Sequence, residues 1–350
     1  MRLLQSSPLV VKRPTIVDLA TAAGVSVATV DRVLNRRLPV SDDTATRVTA
    51  AAEAIGYHGV GLLKQRLVEV PRRTFGFLLQ KRHEEFYQSL GTGLANETRD
   101  ASFIRGRAIV EFTDELVPAL IAQRIRDTAP RVDALAVVAV DHPIVNEAVE
   151  WAAAQGKPVF TLLTDLTAPS RAGCISVDRR RSGRTAAWAI SRLARKPGKI
   201  GILIGSHRYL SQEISEISFR SYMREYAPEF QLLEPLVNLD DQRICYEAVV
   251  DMLGSNDDLV GIYAAGGGAD GLVRALRDEG AGRNIIAVCN ELTVVTRPAL
   301  LDGTIDVVLG TPIIPLAKKA IEAMERAVAD GINGVTQIQL PADLFVSENI

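Results

Sequence analysis

Residues 14–35 read PTIVDLATAAGVSVATVDRVLN, and their spacing predicts two short helices around a glycine turn. Thr15 is placed to cap the first helix, with Asp18 three residues on as the second half of a capping box. Ile16, Leu19, Ala20 and Ala23 recur at helical spacing and form one apolar stripe. Gly24 supplies the sharp turn, a conformation that resists a Cβ. Ser26 then caps a second helix over 27–34, whose inner face is Val30, Val33 and Leu34. Its outer face carries Val27, Ala28, Thr29, Asp31 and Arg32. Short side chains and one long cation suit a helix that enters a DNA major groove amino end first.

The run V-x-x-A-x-x-A-G-V-S-x-x-T-V-x-R-V-L-N closely resembles the DNA-binding head of the LacI/GalR repressor family. VSDDTATRVTAAAEAIGY at 40–57 continues the resemblance as that family's third helix. The resemblance implies Arg32 and the residues Val27, Ala28 and Thr29 at base edges, with Thr15 and Ser26 at phosphates. It also implies Asn35 and Tyr57 as DNA-binding residues. Asp31 stands where the family usually has Ser. A carboxylate there repels phosphates unless it accepts from a cytosine amino group or pairs with Arg32. The connector departs further. The family's Tyr-x-Pro-Asn-x-x-Ala-Arg-x-Leu becomes Tyr57, then Gly59-Val60, then Leu63-Lys64, with Arg66 on the position of the Leu that wedges into the minor groove. A hinge helix is expected over 61–67, with Leu63 and Arg66 as its DNA-contacting candidates.

Charge is divided in a way that fits such a head. Residues 1–73 hold 11 Lys/Arg against 6 Asp/Glu, whereas 74–350 hold 29 against 36. A basic head that meets phosphate and an acidic body that does not would look like this. The chain of 350 residues is 47% hydrophobic and 23% charged, in the range of globular proteins. Its three cysteines, Cys174, Cys245 and Cys289, lie far apart with no metal-ligand spacing, so neither a disulfide framework nor a metal site is expected. No apolar run has the length of a signal peptide or a membrane span, so a cytoplasmic location and no membrane partner are expected. Residues 1–13 read as a loose arm, 14–58 as the helix-turn-helix domain, 59–73 as hinge or linker and 74–350 as a separate body.

From Thr74 onward, short apolar runs alternate with amphipathic segments, the mark of parallel β/α architecture. Strands are expected at 74–80, 107–112, 134–140, 158–163, 174–177, 199–205, 231–237, 259–265, 284–290 and 306–311. That is too many for one comfortable sheet. The expected fold is therefore a small all-α helix-turn-helix domain followed by an α/β body with two doubly wound, mostly parallel sheets. The body resembles the periplasmic-binding-protein fold of LacI/GalR proteins. On that resemblance lobe 1 would span about 74–173 plus 307–350, and lobe 2 about 174–306.

Ligands of open α/β sheets sit beyond the carboxyl ends of the strands. The loop after the first strand offers Lys81, Glu85, Phe86 and Tyr87, the last two matching an aromatic pair that lines the family's effector cleft. Asp178 matches an Asp of the family's second lobe. The arginines that follow it, Arg179, Arg180, Arg181 and Arg184, read as lobe surface or dimer contacts, with an anionic effector as the lesser alternative, and Trp188 as core. His207, with Arg208 and Tyr209, could supply polar contacts from the next loop. Glu216 and Arg220 take the positions of the family's ligand-gripping Arg and its Phe. Gly267 lies in a glycine run suited to close backbone approach to a ligand. Asn290 and Glu291 match the position of an Asp that bonds sugar hydroxyls, while Gly310 replaces a Gln. No P-loop, dinucleotide fingerprint, Ser-His-Asp set or metal cluster is present, so neither catalysis nor a cofactor is expected. The resemblance implies a homodimer on double-stranded operator DNA, controlled by a small sugar, polyol or sugar acid.

Overall fold

The computed structural model describes residues 13–35, 40–58, 60, 70–280, 285–332 and 334–350. Residues 1–12 of the expected arm and most of the connector, Leu63 and Arg66 included, lie outside them. The chain divides into two compact units, Met1–Pro71 and Arg72–Ile350.

Three helices make the first unit: α1 (Ile16–Ala23), α2 (Val27–Asn35) and α3 (Asp42–Ala54). The capping box forms. The Thr15 N–H donates to Asp18 Oδ2 at 2.8 Å, and the Asp18 N–H donates back to Thr15 Oγ1 at 3.3 Å. Gly24 ends α1 in the left-handed conformation at φ 63°, the reason a glycine stands there. Leu19, Ala20, Ala23, Val30, Val48 and Ala52 close a small apolar core.

The second unit is built from two twisted sheets. The first contains β1 (Arg72–Gln80), β2 (Arg105–Thr113), β3 (Ala134–Val137), β4 (Val159–Leu162), β5 (Gly173–Val177) and β12 (Thr336–Leu340), in the order β12-β5-β4-β3-β1-β2. The second contains β6 (Lys199–Ile204), β7 (Gln231–Leu232), β8 (Leu236–Val237), β9 (Leu259–Ala264), β10 (Ile286–Asn290), β11 (Val307–Gly310) and β13 (Asp343–Phe345). Its order is β13-β11-β10-β9-β6-β7, with β8 also on β6. All pairings are parallel except β11 with β13. Strands β3, β4, β5 and β9 are buried along their whole length, because helices cover both faces of each sheet. α4 (Glu85–Asp100) and α12 (Ile313–Asp330) pack on one face of the first sheet, and α5 (Pro118–Thr128) and α6 (Pro143–Ala154) on the other. α7 (Arg179–Leu193), α8 (Leu210–Tyr226), α9 (Gln242–Ser255) and α10 (Ala269–Asp278) flank the second sheet, with a short α11 (Thr296–Leu301) beyond it.

The lobe boundaries differ from the expectation. β5 stays in the first sheet, and the chain enters the second lobe only at α7. β11 belongs to the second sheet, and the return begins at α12. The chain then crosses a third time, from β12 to β13. The cause is pairing at the sheet edges. β5 finds β4 and β12 as parallel neighbours, and β11 finds β10 and the antiparallel β13. Gly310 has its own reason: a Cβ there would lie 2.7 Å from Phe345 Cε2 of β13.

Candidate functional site

In the first unit, α2 presents Ser26, Val27, Ala28, Arg32 and Asn35 to solvent, with Thr29 half-buried and Val30 holding the helix to the core. Ser26 Oγ accepts from the Thr29 N–H at 3.1 Å and so caps the helix. Asp31 pairs neither with Arg32 nor outward. Its carboxylate accepts from Asn35 Nδ2 at 2.6 Å, one helical turn on. Tyr57, expected on the DNA-binding surface, is only 8% exposed and packs into the small core, its ring 4.4 Å from that of His58. Thr15 spends its side chain on the capping box.

In the second unit the strand order reverses between the parallel neighbours β1 and β3 of the first sheet and between β6 and β9 of the second, and a cavity of about 300 Å³ is lined by residues at the carboxyl ends of both sheets. Lys81, Phe86, Tyr87 and Thr164 line it from one lobe, and Tyr209, Gln212, Asp240, Gly267, Asp270, Asn290 and Glu291 from the other. The lobes meet across it. Gln80, fully buried, accepts from the Tyr209 hydroxyl at 2.8 Å and the Tyr87 hydroxyl at 3.4 Å, while its Nε2 donates to the Val138 carbonyl. Lys81 Nζ donates to the Asp240 carbonyl at 2.6 Å, and the Val294 N–H donates to Glu85 at 2.8 Å. Phe86 and Tyr87 meet edge to face, with centroids 5.2 Å apart. Burial pushes the Tyr209 and Tyr87 hydroxyls well up, so both remain neutral donors.

The backbone is bent to build this site. Lys81, Leu163, Asp240 and Glu291, all cavity-lining, have φ of 44°, 65°, 50° and 67°. Such conformations cost about 1–3 kcal/mol each and persist only where surrounding contacts impose them. For Asp240 the contacts are plain: Oδ1 accepts from the Gly267 N–H at 2.6 Å and faces Gln212 Nε2 at 3.4 Å. Gly205 admits it, since a Cβ there would sit 2.0 Å from Asp240 Oδ1. For Glu291 they are the Thr311 N–H and hydroxyl, donating at 2.9 and 2.7 Å. Burial pushes the Glu291 carboxyl above its ordinary value, against the opposing pull of Arg179 and the two Thr311 bonds.

The comparisons agree with this architecture. Residues 15–59 match the sequence profile of bacterial regulatory proteins of the lacI family, and residues 75–332 that of the periplasmic binding protein domain. The chain belongs to the LacI/GalR family of helix-turn-helix transcriptional regulators. Its similarity to the HTH-type transcriptional regulator MalR of Streptococcus pneumoniae is 39% identity over 75 residues, 21% of this chain and 23% of that protein. The GalS regulator of Salmonella typhimurium is 26% identical over 286 residues, 80% of this chain and 79% of that one. GalR of Streptococcus thermophilus is 25% identical over 289 residues, 76% and 78%. The body has the fold of a solute binding protein from Agrobacterium vitis solved with α-D-tagatopyranose, at TM-score 0.73 and 17% identity over 79% of this chain and 95% of that one.

Set against the LacI/GalR expectations, Lys81, Phe86, Tyr87, Gly267, Asn290 and Glu291 reach the cavity and five others do not. Glu85 faces solvent at the first turn of α4 and bonds the Val294 N–H. Asp178 caps α7, accepting from the Arg181 N–H at 3.0 Å. His207 is exposed on its loop. Glu216 and Arg220 bond to each other one turn apart on α8, and Arg220 also donates to the Leu233 carbonyl, so both are spent within the lobe. Conversely Arg179, read from sequence as surface, lines the cavity, and Trp188, read as core, is 49% exposed. Glu84, Asp240 and Asp270 are cavity residues that sequence reading missed. Among the described residues no His/Cys/Asp/Glu group could hold a metal ion, and no helix is long and apolar enough to cross a membrane. The three cysteines are free and buried, and burial pushes the Cys174 and Cys245 thiols up to about 11.

Proposed function

We propose that this regulator is a cytoplasmic repressor, acting as a homodimer on a pseudo-palindromic operator, whose DNA affinity is set by a small carbohydrate-like effector in the cavity. The observation that carries the reading is the composition of the cavity wall. It is contributed by both lobes, and Glu291 in it is bonded to Thr311, on the chain crossing between β11 and α12. An occupant held by both walls favours one lobe arrangement over others by its difference in affinity for them. That difference is the coupling free energy available to the DNA-binding end. Aromatic Phe86, Tyr87 and Tyr209 offer ring faces to the C–H patches of a sugar ring, and Asp240, Asn290 and Arg179 offer groups to its hydroxyls.

On the DNA side, Val27, Ala28, Thr29 and Arg32 are the groups for base edges, with Ser26 and Asn35 beside them and Thr15 at the helix start near phosphate. The test uses the intact chain. Selection from random duplex DNA should return a two-fold symmetric site, and a panel of sugars, polyols and sugar acids should contain a compound that both raises thermal stability and changes retention of that site. Selection of no sequence, or turnover of a panel compound, would overturn the reading.

A further inference from the structure

The cavity holds more negative charge than its own cations match. Glu84, Asp240, Asp270 and Glu291 line it, against Lys81, Arg179 and the exposed His83. Two of the four carboxylates are occupied within the protein: Asp240 by the Gly267 N–H and Gln212, and Glu291 by Thr311 with Arg179 facing it. Glu84 and Asp270 have no hydrogen-bond or ion-pair partner among the described residues. Glu84, exposed to solvent, feels the charge of Asp270, which is half-buried. Lys81 opposes Glu84, but its ammonium already bonds the Asp240 carbonyl, and Asp270 faces Glu85 with no cation against it. The start of α10 favours a carboxylate at Asp270, yet desolvation still pushes both carboxyls above their ordinary values.

Asn290 gives a second and independent sign. It is 9% exposed and lines the same cavity. Its Nδ2 donates to the Ala265 carbonyl at 2.7 Å, which fixes the amide so that Oδ1 is the other end, buried and without a donor. An acceptor left unpaired in such a place costs free energy until a donor arrives. Arg179 Nε is likewise buried and unpaired, and asks for an acceptor. A ligand complementary to these groups brings several N–H or O–H donors, a positive charge and at least one acceptor oxygen. The ring faces of Phe86 and Tyr87 suit a cation as well as a sugar.

We infer that the effector is an amine-bearing polyhydroxy solute, such as an amino sugar or amino polyol, with its ammonium between Glu84 and Asp270 and its hydroxyls toward Asn290 and Arg179. This rests on the effector-responsive reading of the same cavity. It goes beyond it by making charge the basis of selection: the carboxylates that attract the ammonium are left unmatched by a neutral sugar.

The test is a set of matched pairs measured by calorimetric titration on the intact protein: D-glucosamine with D-glucose, D-galactosamine with D-galactose, glucamine with sorbitol, and tris(hydroxymethyl)aminomethane with pentaerythritol. Operator retention is followed in parallel. The amine should bind about tenfold or more tightly than its neutral partner, the scale of a close charge pair. Asp270→Asn and Glu84→Gln should shrink that ratio toward one without lowering the unfolding temperature. Equal or tighter binding of the neutral partners, no binding of any amine at millimolar concentration, or a ratio that survives both substitutions would overturn the inference. If a neutral sugar binds and shifts operator retention, only the amine assignment falls. If the intact chain retains no specific DNA at all, the regulator reading falls instead.

Discussion

The DNA-facing head and the cavity are assembled by opposite means. In the head the bonds that shape the surface join near neighbours: Thr15 with Asp18, Ser26 with Thr29, Asp31 with Asn35 and Ser41 with Thr44, three or four residues apart. In the cavity they join Tyr209 to Gln80 across 129 residues, Lys81 to Asp240 across 159 and Val294 to Glu85 across 209. A surface made of local bonds can be altered without disturbing its frame. A site made of distant ones depends on how two lobes meet. The difference also predicts that damage to one unit stays there.

The largest effect should come from the head's core. Leu19 is fully buried in a cluster with few other large side chains. Leu19→Ala should cost about 3 kcal/mol, a large share of what so small a unit can hold. Operator retention should be lost, while the unfolding temperature of the Arg72–Ile350 unit and its response to effector stay unchanged. A fall in both would break the comparison, because it would make the units one cooperative body.

Arg32→Ala tests function without frame. Arg32 is exposed and its neighbours hold the helix without it. Specific DNA binding should weaken by about 1–3 kcal/mol, roughly five- to 150-fold, with no change in unfolding or in effector binding. Equal operator affinity would remove Arg32 from the groove.

The same contrast explains what could be read in advance. The head's helices, its capping box and its glycine turn are local patterns, and all three are legible in residues 14–35. The strands of the body were legible as apolar runs, except β12 and β13, whose half-exposed residues do not make such runs, and 231–237, expected as one strand but formed as the separate two-residue β7 and β8. The cavity was half legible. Residues at or immediately after a strand's end, such as Lys81, Asn290 and Glu291, follow from strand position alone. Asp240 follows a two-residue strand that periodicity cannot isolate, and Asp270 lies in the first turn of α10, past the glycine run that follows β9. Arg179 and Asp178 were exchanged: one residue at a helix start decides whether a side chain caps the helix or enters the cavity. Glu216 and Arg220 were lost to each other, since a Glu and an Arg four apart on one helix can pair locally.

Glu291 sharpens the cavity side. Glu291→Ala leaves the Thr311 N–H and hydroxyl without their acceptor, at a cost of about 1–3 kcal/mol. The dose–response to effector should weaken while operator binding in its absence persists; an unchanged dose–response would take Glu291 out of the coupling. Glu291→Gln separates charge from shape. Burial raises the folded carboxyl above its ordinary value, so the folded state binds more protons in the window between the two. The group's contribution to stability is therefore full below its ordinary value and is lost as pH rises through the raised one. Relative to the native chain, the Gln variant should gain unfolding temperature across that window. A constant difference would mean that the carboxyl is not desolvated.

The smallest effect tests Asp31 of α2 and its partner Asn35. Asn35 Nδ2 holds the Asp31 carboxylate one turn away, so the charge is directed along the helix. An exposed bond of this kind contributes only about 0.2–0.5 kcal/mol to stability. Its value on DNA is a different matter, because Asn35→Ala releases a carboxylate beside an anionic partner. Asn35→Ala should weaken operator binding severalfold in the native background, and do so less when Asp31 is already Ala. The difference between the two is the coupling that a double-mutant cycle isolates. If Asn35→Ala costs the same with and without Asp31, Asn35 acts on DNA directly, and the two side chains do not form the local unit that distinguishes the head from the cavity.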